Sequence, residues 1–307
     1  MTHRYKPFIE RAPDAQYQNL LRKIFEEGVE VSPIHGEKAR MLVGQQLRYS
    51  LANGFPVITE RDLSGSMFTG AIAEHIAFLH GARTQTELEK FGCKWWKPWV
   101  TKEKCAIFGL PEGDLGDGSY GAAWANFPTK ERVWWKPWKA KSFNQIEHLV
   151  RQIRERPYLR THFVSPWIPQ YTLQHSGLTR KVVVAPCHGW IHVLAFPETK
   201  ELTIHHFQRS ADFPVGVPFN IIQYAAFGMM LAQILGYTLK DVIYTFSDVH
   251  IYESQYEKVK ELLTREPRKL PTVTLDPSVK DIFDFCPEHF TLSDYEPHPK
   301  IFIPTPI

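Results

Sequence analysis

The stretch from Val217 to Gly236 constrains the fold more than any other part of this chain. It is apolar almost throughout, and its longest run, Ile221 to Leu235, is broken only by Gln223 and Gln233. A helix of this composition has no polar face to turn to water, so it belongs inside a protein core or across a bilayer. Two glutamines within the run favour the core over a membrane span. We read it as a long buried core helix, which the rest of the chain must enclose.

The flanking segments supply the material. Residues 14–28 place Tyr17, Leu20, Leu21, Ile24 and Phe25 at helical spacing. Met41 to Ser50 has strand character, and Asn53-Gly54 marks a turn. Gly70 to Leu79 reads as an apolar helix ended by His80-Gly81, and 144–155 as an amphipathic helix. Strand-like runs follow at 160–168, Val182 to Ala185, Trp190 to Phe196, Leu202 to Phe207 and Asp241 to Thr245. Tyr252 to Arg265 predicts a further helix before the final strands, and the tail from Tyr295 to Ile307 holds four prolines. No linker interrupts the pattern, so residues 1–307 predict one α+β domain.

Bulk properties exclude several classes. A net charge of +3 is not the dense basic stripe of a nucleic-acid binder, so no DNA partner is expected. Four cysteines without paired spacing (Cys93, Cys105, Cys187 and Cys286) suit a reduced, cytoplasmic chain. The histidines show no ligand spacing, so no metal is expected. The N-terminus is polar and carries no signal region. The pentapeptide Trp-Trp-Lys-Pro-Trp occurs at 95–99 and again at 134–138. Aromatics mostly pack, but such a cluster can also wall a flat ring ligand.

Two segments carry chemistry. Cys187 lies in "APCHGW" between strand-like runs. A lone cysteine is usually a small buried hydrophobe, and it becomes a nucleophile only where a nearby cation lowers its pKa. The segment 205–220, "HHFQRSADFPVGVPFN", gathers Arg209, Ser210, Asp212 and Asn220 just before the core helix. Arginine and serine together can hold a phosphate. An asparagine amide offers a donor and an acceptor side by side, as the edge of uracil requires. Each residue has a bland alternative; their density in one segment favours a site.

Together with "SDVHIY" (247–252), "REPR" (265–268), "EGDLGDGSYGAAW" (112–124), "AEHIAFLHG" (73–81) and "YEPHPKI" (295–301), these segments resemble the signature motifs of the thymidylate synthase family, in the same order from about residue 40 to the end. The resemblance implies a three-layer α/β/α-type fold with a large mixed sheet. It implies folate-dependent transfer of one carbon to C5 of a pyrimidine nucleotide. Cys187 would add to C6 and make C5 nucleophilic. The resemblance assigns Arg209 to phosphate and sulfur, Glu74 to proton management through water, and Tyr120 to loss of the C5 proton. Asn220 would meet the base, His250 and Tyr252 the sugar, and Ser210 and Arg160 the phosphate. Asp212, Trp96, Trp99, Gly216 and Phe219 would border methylenetetrahydrofolate, the co-substrate, and His188 would play a supporting part. A homodimer is implied, with Arg160 donated across the interface.

The chain also departs from the pattern. Thr161 stands where a second arginine is usual, and the N-terminal Asp-Arg-Thr context is absent. Arg40, Lys38, His162 and Arg180 are the candidates to compensate. Residues 168–181 form an insertion, and a proline precedes the terminal residue. The expected activity is reductive methylation of dUMP to dTMP. The alternatives are hydroxymethylation of dUMP, dCMP or CMP, and a non-catalytic nucleotide- or RNA-binding relative.

Overall fold

The computed structural model describes residues 5–32, 36–131 and 139–306. The second Trp-Trp-Lys-Pro-Trp copy lies outside them. The apolar run forms the helix Gly216–Leu235. Pro218 sits in its first turn, where a missing N–H costs nothing, and Gly236 closes it with φ of 72°. The two glutamines that break the run are both satisfied inside the fold. Gln233 donates to the carbonyls of Asp276 and Val279, and Gln223 to the Glu74 carboxylate. The helix is long and apolar enough to cross a membrane, yet it is almost wholly enclosed here.

One side of this helix packs on a seven-stranded sheet, and the other on the helix Ser66–Leu79. The sheet runs in the order 29–31, 39–50, 238–252, 201–208, 190–196, 163–164, with 211–212 also pairing to 238–252. It is mixed: 201–208 and 211–212 lie parallel to 238–252, and the other neighbours are antiparallel. The layers are thus sheet, core helix and second helix, around one contiguous apolar cluster.

Several elements differ from the sequence expectation. Asp241 to Thr245 is only the middle of a strand that runs from Thr238 to Tyr252 and absorbs "SDVHIY". The following helix is accordingly shorter, Tyr256–Leu263, after a single 3-10 turn. Of 160–168 only Phe163–Val164 pairs, since Pro166 and Pro169 leave no N–H to continue the ladder. Val182 to Ala185 is not a strand: Val183 N–H donates to the Leu115 carbonyl and its own carbonyl accepts from Arg180, so a loop and a side chain take the place of a ladder. The insertion folds as the short helix Pro169–Thr172 and a turn closed between His175 and Leu178.

The C-terminal motifs hold one another. Arg265 donates to the carbonyls of Glu60 and Pro299, and Arg268 to that of Glu296. Tyr295 donates to the Ile58 carbonyl, 2.8 Å away. This pins the proline-rich tail back across the molecule.

Gly121, beside Tyr120, marks another tight contact. A Cβ there would stand 2.2 Å from the Ala82 carbonyl oxygen, a backbone atom that cannot swing aside. Gly121→Ala is expected to cost about 1–3 kcal/mol, read as a lowered thermal midpoint; an unchanged midpoint would show that this approach is not needed.

Candidate active site

Cys187 sits on the loop that leads into the strand Trp190–Phe196, at a cavity of about 580 Å³. Its geometry is set by two neighbours. The Cys187 N–H donates to the Tyr120 hydroxyl, 2.7 Å away. Arg209 donates to the carbonyls of Ala185 and Pro186, each at 2.8 Å, and reaches the Cys187 sulfur at 3.5 Å. The Arg209 N–H also takes the Cys187 carbonyl. One guanidinium therefore ties down the loop and faces the thiol. Burial pushes the thiol pKa up, Arg209 pulls it down, and Asp248 pushes it up again. Burial wins, so the arginine reduces the cost of a thiolate without making it the resting form.

Behind the thiol lies a buried polar chain. Glu74 accepts from the Trp96 indole N–H at 2.6 Å and from Gln223 at 2.5 Å. Burial raises its carboxyl to about 6, against the two hydrogen bonds that favour the ionised form. Gln223 also accepts from Asn220 at 2.9 Å, and Asn220 accepts from Gln208 at 3.1 Å. Trp96 turns its N–H to Glu74, whereas Trp99 lines the cavity.

The strand 238–252 supplies the opposite wall. Asp248 and His250, two apart on one face, bond to each other at 2.9 Å, and Asp248 also accepts from the Ser210 hydroxyl at 3.0 Å. Tyr252 packs edge-on against His250. Asp212 accepts from Gln255 and from the Val215 N–H, and burial lifts its carboxyl to about 6. Gln255 also donates to the Pro304 carbonyl, which brings Thr305 and Pro306 to the cavity mouth.

The fold thus gathers Cys187, Arg209, Ser210, Asp212, Gly216, Asn220, His250, Tyr252 and Trp99 around one cavity, with Glu74 and Tyr120 just behind. Phe219 packs on Trp95 and under Arg61, and exposed Arg160 lies away from the cavity. Of the four compensating cations, Arg180 alone lines it. Arg40 lies over the Phe25 and Tyr256 rings, Lys38 pairs with Glu30, and His162 bonds Gln152. Sequence reasoning missed Asp248, Gln208 and Gln223. For Asp248 the two-residue spacing from His250 on a strand was the available signal.

Three imidazoles gather around Tyr224: His188 lines the cavity, and His75 and His206 are sealed behind it. His206 stacks on Tyr224 at 3.7 Å, His188 bonds its hydroxyl, and His75 meets it edge-on. Burial lowers His75 and His188 to about 3, and His206 well below its ordinary value. The unfolded chain therefore binds these protons below pH 6.5 while the fold refuses them, so stability drops as pH falls through that window, by up to about 1.4 kcal/mol per pH unit per imidazole. Glu60, Glu74 and Asp212, raised to about 7, 6 and 6, act oppositely: the fold keeps their protons longer than the unfolded chain, so their contribution is lost as pH rises through those values. The two sets oppose each other at mildly acidic pH, and below about pH 4 the histidines act alone. His75→Leu removes an imidazole whose Nε2 has no partner among the described residues. Its thermal midpoint is expected to fall less steeply than wild type between pH 5 and 4; parallel curves would contradict this.

A thiol, a cation facing it and a buried carboxyl lie together at this cavity, a combination of groups from which covalent catalysis can be built. The thymidylate synthase family model matches residues 15–307, nearly the whole chain, and the chain belongs to that family. Its members use methylenetetrahydrofolate to place a methyl or hydroxymethyl group on C5 of a pyrimidine nucleotide, and this protein is an enzyme of that methyltransferase type.

Proposed function

We propose that the protein reductively methylates dUMP to dTMP in a single catalytic domain, with Cys187 as nucleophile. The observation that carries this reading is the Asn220 amide, held between Gln208 and Gln223 beside Cys187 with one donor and one acceptor free. That pair fits the O4 and N3–H of uracil. The Cys187 sulfur adds to C6, and electron density moves to C5 and O4. C5 then takes the one-carbon unit; methylenetetrahydrofolate would supply both that carbon and the hydride that reduces it to methyl, its own bond to the carbon breaking as it leaves as dihydrofolate. Glu74 manages protons at O4 through water, and Tyr120 accepts or relays the proton that C5 loses. A final β-elimination restores the thiol. His250 and Tyr252 face the sugar.

Arg209, Ser210 and Arg180 hold the phosphate. Arg180 comes from the insertion and takes the place of an arginine the chain lacks. Arg160 serves a second copy of the chain. The outer sheet face supports that assembly, with Trp190 against Phe207 in register, and Phe163 and Val43 more than half exposed. Apolar side chains on an open sheet face favour a partner surface.

A second reading, hydroxymethylation, draws on the cavity mouth. It is covered by Thr305 and Pro306, and water admitted there would compete with hydride for the exocyclic carbon. Near-ultraviolet absorbance during turnover separates the two. A rise from dihydrofolate is expected for methylation; turnover without the rise would replace it by hydroxymethylation.

A further inference from the structure

We infer that Gln223 is the specificity-determining residue of the base site: it locks the Asn220 amide in the one orientation that accepts uracil and rejects cytosine. The inference rests on the nucleotide site proposed above.

The orientation of each amide follows from backbone carbonyls, which can only accept, and from the Glu74 carboxylate, which only accepts while it is ionised. Gln223 Nε2 faces two of them, the Ala71 carbonyl at 3.3 Å and the Glu74 carboxylate at 2.5 Å. The other Glu74 oxygen is held by Trp96, whose indole can only donate. Gln223 Oε1 is therefore turned to Asn220, and only the Asn220 Nδ2 can meet it, at 2.9 Å. On the other side, Gln208 Nε2 donates to the Ser210 carbonyl and to Asn220 Oδ1, both at 3.1 Å. Asn220 is held at both ends, with one N–H and one lone pair left for a ligand.

Uracil presents a carbonyl O4 beside N3–H; cytosine presents an amino group beside a bare N3. The fixed Asn220 matches the first. Meeting the second requires the amide to turn over, which would set N–H against N–H at Gln208 and oxygen against oxygen at Gln223. Such mismatches are costly where water cannot relieve them, and Gln223 is fully buried.

The two clamps are not equal. Apart from Asn220, the Gln208 nitrogen is fixed by one acceptor, the Ser210 carbonyl, and its buried Oε1 has no partner among the described residues, so turning the Gln208 amide over to follow a reversed Asn220 gives up that one bond. Gln223 has two acceptors fixing its nitrogen and no such freedom. Discrimination therefore depends on Gln223, one helical turn along from Asn220 on the core helix.

The test is equilibrium binding of dUMP and dCMP, by calorimetry, to wild type, Gln223→Met and Gln223→Glu. Wild type is expected to favour dUMP. Gln223→Met keeps the side-chain length but cannot hold Asn220, and its preference is expected to shrink by about tenfold or more. Gln223→Glu still accepts from Asn220 Nδ2, and is expected to keep the preference while altering turnover through a second carboxyl beside Glu74. A wild-type preference retained in Gln223→Met, or lost in folded Gln223→Glu, would overturn the inference alone. Equal wild-type binding of the two nucleotides would overturn it too. Wild type that binds neither would remove both the inference and the function it rests on.

Discussion

Cys187→Ser is expected to lose turnover by on the order of 10⁴-fold or more, while the folded protein still binds dUMP. The hydroxyl is a far weaker nucleophile than a thiol, and the Arg209 guanidinium that faces it can donate but cannot take its proton. The Arg209 bonds to Ala185 and Pro186 do not involve the sulfur, so the loop should stay in place. Retained binding with lost turnover is the signature of a group that acts only in the chemical steps. A serine variant with more than a few per cent of wild-type activity would show that no bond to sulfur is made.

Glu74→Gln comes next, with an expected loss of about 10²–10⁴-fold in kcat. The substitution keeps the shape but removes the proton carrier. It also faces Gln223 Nε2 with a second amide in place of a carboxylate. In wild type, a carboxyl near 6 that works ionised should give kcat/KM an acid limb there, with activity falling as pH drops through that value. The residual activity of Glu74→Gln should lack that limb. A limb that persists unchanged would move proton transfer to another group.

Much of this site was legible in the sequence because its residues cluster along the chain. The segment 205–220 carries four candidates, and the strand 238–252 turns "SDVHIY" into one wall by its two-residue period. The core helix was legible because a helix without a polar face leaves few choices. What remained hidden depended on contacts far apart in sequence. Gln223 looked like an interruption of an apolar run, and only the fold sets it against Glu74, 149 residues away. Trp96 looked like a ring wall, yet its N–H serves a carboxylate. Val182 to Ala185 has every local mark of a strand, but the Leu115 carbonyl and Arg180 take its backbone groups before a neighbouring strand can. Arg180 lay in an insertion with no periodicity to read, and its place beside Arg209 emerges only when the loop closes over the cavity.

The most direct test of the account is the mass of the nucleotide recovered after incubating the protein with dUMP and methylenetetrahydrofolate, beside Cys187→Ser as control. The account predicts a gain of one methyl group at C5 with wild type and none with the variant. A wild-type protein that binds dUMP yet leaves its mass unchanged would contradict it.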